Sequence, residues 1–190
     1  MRWLVICLLP TPALGCPTAT NLWTGVVLTL DDGITTFFHA ESDDVVVAIQ
    51  KSPAFATTTT LARGIYDMES RITGANVIGA DTRSRITVPT GGLPLPSPGL
   101  PTTLDAELDS SMGASFQQKR AYTWGEPASI AIGNCEYLGL PGRVEESRDE
   151  LDTISELFYL PDLGVAILTA YAVPELGLAS TYTYVEVIAQ

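Results

Sequence analysis

The stretch "SELFYLPDLGVAIL" (155–168) reads either as a site or as one strand turning into the next. Apolar and aromatic residues run into Leu160-Pro161-Asp162-Leu163-Gly164, and Val165, Ala166, Ile167 and Leu168 follow. Pro161 presets φ for the first central position of a turn, and Gly164 can take a positive φ where the next strand leaves. The same Pro-acid-Leu-Gly chemistry returns at "PELG" (174–177). A device used once per strand is the mark of a meander, so the stretch is read as a strand turn and not as a site.

Working outward, strand patterns dominate. "NLWTGVVLTL" (21–30) is rich in β-branched and aromatic residues, and "DDG" (31–33) is a tight-turn signal before "ITTFFHAES". Asp43-Asp44 makes the next turn, into "VVVAIQKS" (45–52). "TTTTLARGIYDMES" (57–70) continues in the same mode, with Gly64 as a bulge or a point of close approach. "TRSRITVP" (82–89) alternates as a half-buried strand does. "TTLDAELDSS" (102–111), "SFQQKRAYTWG" (115–125) and "SIAIGNCEYLGL" (129–140) each read as a strand, as does the closing "STYTYVEVIA" (180–189). In 142–160, Leu151, Ile154, Leu157 and Phe158 recur at helix spacing, yet Ile154, Phe158 and Leu160 also share a strand face. Without a full set of helix caps, this segment is read as a hairpin turning near Asp149–Asp152.

One stretch interrupts the strands. "PTGGLPLPSPGLP" (89–101) holds five prolines and three glycines, and proline lacks the donor that a central strand needs. It is an exposed connection or a polyproline-like strap. The expected fold is therefore all-β: an antiparallel meander curled into a barrel, a half-barrel or a two-layer sandwich. The run strand–aromatic–x–x–Pro–x–Leu–Gly–strand, centred on Phe158 to Gly164, resembles exported bacterial envelope proteins built on an antiparallel sheet. The resemblance spans about residues 129–170 and implies a fold without implying any catalytic residue.

The N-terminus reads as an export signal over residues 1–15. Arg2 gives a positive start, Trp3 to Leu9 an apolar run, and Ala13-Leu14-Gly15 a small-residue cleavage site. The apolar run is too short to cross a bilayer, which needs about 20 residues. Residues 16–190 would then form a single β domain with the 89–101 loop inside it. Cys16, first after the cleavage site, is placed either to be acylated as a membrane anchor or to pair with Cys135. The disulfide Cys16–Cys135 is preferred, because acylation would leave Cys135 an unpaired thiol in an exported chain.

Several chemistries find no support. His39 is the one histidine, which excludes multi-histidine zinc sites and leaves any triad without a nucleophile elbow. No phosphate-cradling or dinucleotide-binding glycine motif occurs, so no cofactor is expected. A net charge of −12 with ten scattered basic residues argues against nucleic acid. Asp31-Asp32, Asp43-Asp44 and the acidic run Glu145-Glu146, Asp149-Glu150-Asp152 suit calcium in charge but lack its ordered loop, and they read as solvated turns. No catalytic or metal residue is assigned.

Strands apolar on both faces, such as Val45–Ile49 and Val165–Leu168, fit either a two-layer core or a cavity for an apolar molecule. The expected role is a non-catalytic binding, carrier or accessory module of the cell envelope, periplasmic or extracellular. Its partner would be an envelope protein or an apolar small molecule, with no transmembrane helix. The alternatives are a small acid-rich hydrolase using paired carboxylates and a structural protein lipid-anchored through Cys16.

Overall fold

The computed structural model describes residues 15–73, 82–87, 92–110, 115–148 and 151–190. The expected signal over 1–15 lies, but for Gly15, outside them, as do residues 89–91 of the proline-rich loop and the tip of the 142–160 hairpin at 149–150.

Among the described residues the chain is all-β. In order, the strands are β1 (Val26–Leu30), β2 (Thr35–Ser42), β3 (Val45–Lys51), β4 (Ala56–Ala62), β5 (Tyr66–Thr73), β6 (Thr82–Thr87) and β7 (Thr102–Ser110). There follow β8 (Ser115–Trp124), β9 (Ala128–Ile132), β10 (Cys135–Arg148), β11 (Leu151–Leu160), β12 (Val165–Val173), β13 (Leu178–Thr181) and β14 (Tyr184–Ala189). Neighbours pair antiparallel in the spatial order β13-β12-β11-β10-β8-β7-β6-β5-β4-β3-β2-β1-β14, with β9 pairing β10 off this path. The strands pack as a two-layer sandwich; β13 and β14 stand at opposite ends of the path and do not close it into a barrel.

The layers meet because alternate positions are apolar. Val26, Leu28, Phe38, Val46 and Leu61 of β1–β4 pack against Ile132, Phe158, Leu160, Val165 and Ile167 of β9, β11 and β12 in one buried cluster. A second cluster joins Tyr66, Leu104, Tyr122, Trp124, Val144 and Tyr159 across β5, β7, β8, β10 and β11. Long β10 serves both, pairing β9 through Cys135 to Gly139 and β8 through Gly142 to Ser147.

The turn at 161–164 forms as read, with Gly164 at φ +74° and β11 and β12 pairing on either side of it. Four local readings are corrected. The first half of 21–30 is a 3₁₀ turn, Ala19–Trp23. Asn21 is the reason: its side chain accepts from the Thr18 N–H at 2.9 Å and its carbonyl takes the N–H groups of Thr24 and Gly25. Such local bonds compete with a strand ladder despite β-rich composition. The segment 57–70 is two strands, and Gly64 sits in the turn between them, where it closely approaches Gly164; the bulge falls instead at Thr60/Leu61. Residues 129–140 form a hairpin about Gly133-Asn134, with Ile132 opposite Cys135. The last stretch breaks at Tyr182-Thr183, where the chain leaves one layer for the other. Tyr182 donates to Thr169 of β12 at 2.9 Å, and Asp31 donates to the Thr183 carbonyl at 3.0 Å.

The described part of the proline-rich loop, 92–101, carries no strand and acts as a strap over the second cluster. The Tyr66 hydroxyl donates to the Pro94 carbonyl at 2.7 Å, and the Gly99 N–H donates to the Trp124 carbonyl at 3.2 Å.

Candidate ligand site

The Cys16–Cys135 disulfide is present, with Cα atoms 5.5 Å apart. It ties the N-terminal segment to the start of β10. The Tyr137 hydroxyl donates to the Pro17 carbonyl at 3.1 Å, and Leu22 of the 3₁₀ turn is buried in the first cluster. The bridge thereby places Ala19, Leu22 and Trp23 at one end of the sandwich.

Three other turns gather at that end: Asp43-Asp44 between β2 and β3, Arg63-Gly64 between β4 and β5, and the turn ending at Gly164. Together they enclose an open groove of about 360 Å³, toward the small end of the roughly 300–1,000 Å³ usual for small-molecule sites. Leu22, Trp23, Ala40, Val46 and Leu95 give it apolar walls, while Ser42, Asp43, Asp44, Arg63 and Tyr159 supply its polar groups. Trp23 and Leu95 are more than half exposed, so apolar surface is open to solvent here.

Arg63 has an unusual backbone. Its φ is +53°, followed by Gly64 at +67°. Two successive positive φ values in a tight hairpin favour Asn, Asp or Gly at the first position, not a long side chain. The guanidinium makes one long contact, Nε to Asp44 Oδ1 at 3.7 Å. It is about one-third exposed, whereas the Asp44 carboxylate is 77% exposed, so the acid stands on the rim and the cation stands further in. Tyr159 is buried, and burial pushes its phenol pKa up while the Arg63 charge opposes the shift. The same pair of causes heads the upward shift of Tyr66. Arg63 thus acts on two buried phenols at once.

Behind Tyr159 lies a polar face that strand reading did not anticipate. Gln118, Arg120, Tyr122 and Trp124 alternate along β8, and all four are buried. Arg120 contacts Asp67 at 3.3 Å and Glu146 at 3.0 Å. Gln118 donates to Glu146 at 2.8 Å. Because β6 and β7 separate β5 from β8 in the sheet, the Asp67–Arg120 pair reaches across the interior. Burial disfavours the Arg120 charge, but Glu146 and Asp67 outweigh it and leave its pKa raised. Gln118 Oε1, Arg120 Nε and Trp124 Nε1 are buried without a hydrogen-bond partner. Trp124 meets Tyr159 edge-on with ring centroids 6.2 Å apart, so this face adjoins the groove through Tyr159. The signal was available: Tyr122 and Trp124 share parity with Arg120 and Gln118, and parity outranks polarity once two aromatics define the inner side.

Arg120→Met should destabilise the fold by about 3 kcal/mol, because it leaves Glu146 and Asp67 facing each other without a cation. Partial exposure of Asp67 keeps the figure at the low end of the range for buried pairs. A urea titration checks this, and adding Glu146→Gln should restore part of the loss. An unchanged midpoint would mean that water already solvates both acids.

The remaining sequence candidates lie elsewhere. His39 is on β2, half-buried, its ring stacked on Phe37 at 6.2 Å and outside the groove. Asp32 accepts from the Ile34 N–H at 3.0 Å, as a turn residue does. Glu145 pairs with Arg143 at 2.8 Å, and Arg143 also reaches Glu156 at 3.2 Å. Of the acid pairs among the described residues, only Asp43-Asp44 borders the groove. Among the described residues no group of three or more His, Cys, Asp or Glu is arranged to hold a metal, and no helix is long and apolar enough to cross a membrane. No protein-family model, no curated protein and no solved structure matches this chain.

Proposed function

We propose that the chain is a non-catalytic binding module of an exported protein, which carries or presents a small, largely apolar molecule in the groove at the end of the sandwich. The observation that carries this reading is the groove itself: apolar walls open to solvent beside one half-buried cation and one buried phenol. Export is supported by the Cys16–Cys135 bridge, since disulfides persist in oxidising compartments. The bridge also uses the sulfur that acylation of Cys16 would need, which favours the bridged form over a lipid-anchored one. Paired-carboxylate hydrolysis is not favoured: Asp67 and Glu146 share Arg120, whereas hydrolysis wants one acid kept protonated by its surroundings.

Native mass spectrometry of the protein purified from its own host tests the reading. The expected spectrum contains an adduct of small-molecule mass that disappears on denaturation, while the protein mass stays two hydrogens below the reduced value. A bare protein mass under gentle desorption, together with no uptake of added amphiphiles, would overturn it. A covalent lipid increment on Cys16 would replace it with the anchored reading.

A further inference from the structure

We infer that the ligand of this groove is an amphipathic monoanion, such as an aliphatic carboxylate, whose head lies at Arg63 and Tyr159 and whose chain lies along Leu22, Val46, Leu95 and Trp23. The inference rests on the proposed binding function and specifies its ligand class.

Three observations converge on it. The first concerns donors. The terminal nitrogens of Arg63 have no protein partner among the described residues, its one contact being Nε at 3.7 Å from Asp44. The Tyr159 hydroxyl likewise has no hydrogen-bond partner among them, and both residues line the groove. A guanidinium and a phenol that line one groove with apolar walls want an acceptor, and a carboxylate satisfies both with charge-assisted bonds. The second concerns polarity by depth. The acidic side chain of Asp44 is 77% exposed at the rim, whereas Arg63 is 34% exposed and Tyr159 8%. The least exposed polar side chains of the groove are therefore its donors, Arg63 and Tyr159, while Ser42, Asp43 and Asp44 are exposed, even though the chain as a whole carries −12. The third concerns backbone cost. Arg63 holds φ +53° where Asn or Gly would sit without strain. A long cation at an unfavourable backbone position points to use of its side chain.

The test compares three probes of equal chain length, dodecanoate, dodecanol and dodecyltrimethylammonium. Each is titrated below its micelle concentration at pH 7.5 into the intact disulfide-bonded protein, with binding read by calorimetry and by tryptophan fluorescence, to which Trp23 and Trp124 both contribute. Dodecanoate should bind about 10- to 100-fold more tightly than dodecanol, and the cation no better than the alcohol. Arg63→Asn, which suits the turn, should remove that preference without lowering the thermal midpoint, leaving dodecanol affinity unchanged. Tyr159→Phe should reduce dodecanoate affinity by a smaller factor. Equal binding of acid and alcohol, or full dodecanoate affinity in Arg63→Asn, would overturn the anionic head while leaving the groove a binding site. Failure of all three probes to bind would overturn both this inference and the function on which it rests.

Discussion

Replacing Cys135 by Ser should lower the unfolding free energy by about 3–5 kcal/mol. The bridged cysteines stand 119 residues apart, and closing a loop of that length removes denatured-state entropy worth about 5 kcal/mol as an upper figure. Local bonds do not replace it. The N-terminal segment is otherwise held by the Tyr137–Pro17 bond, by the Ala19 N–H on the Asp162 carbonyl at 2.6 Å and by the burial of Leu22. These hold the segment in the folded state but do not restrain the unfolded chain. Cys16→Ser should match Cys135→Ser, and the double variant should lose no more than either, because the entropy is lost once. Urea midpoints with and without reductant decide the matter; a variant as stable as the bridged protein would show that the unfolded chain is already compact. Since Ala19, Leu22 and Trp23 form one wall of the groove, reduction should also weaken ligand uptake in the still-folded population.

The bridge was legible because two cysteines outside the expected signal leave one pairing. Strand existence was legible for a similar reason: β-branched and aromatic runs between turn signals, as at 26–30, 35–42 and 165–168, need no knowledge of partners. Partners are where sequence fails. Residues 180–189 alternate without interruption, yet the first few pair with β12 and the rest with β1. Side-chain parity does not change when the hydrogen-bonding neighbour does. The inner face of β8 was missed differently, since Gln118 and Arg120 are polar and a strand is usually sided by its apolar residues. The groove was out of reach altogether. Its lining comes from residues near 19–23, 40–46, 63, 95, 159 and 164, brought together only when the turns of both layers meet at one end. The close approach suggested for Gly64 was the one hint of that meeting.

That approach carries the other large expectation. Gly64→Ala should cost about 4 kcal/mol, enough to leave much of the protein unfolded at moderate temperature. Two causes act together. Gly64 holds φ +67°, which costs a residue with a Cβ about 1–2 kcal/mol. The added Cβ would also run into the Gly164 carbonyl oxygen and stand 3.0 Å from Val165 Cα. Both obstacles are backbone, so no side chain can swing aside, and any retreat would pull on the Ala166 N–H bond to the Gly64 carbonyl at 2.9 Å. Gly33→Ala separates the causes: Gly33 has φ +85°, but nothing lies within 4 Å of its would-be Cβ. It should show the backbone term alone, about 1–2 kcal/mol, and the difference between the variants measures how tightly the β4–β5 turn presses on the β11–β12 turn. Equal losses would mean that the layers do not touch there, and Arg63, one residue away, would have no fixed place at the mouth of the groove.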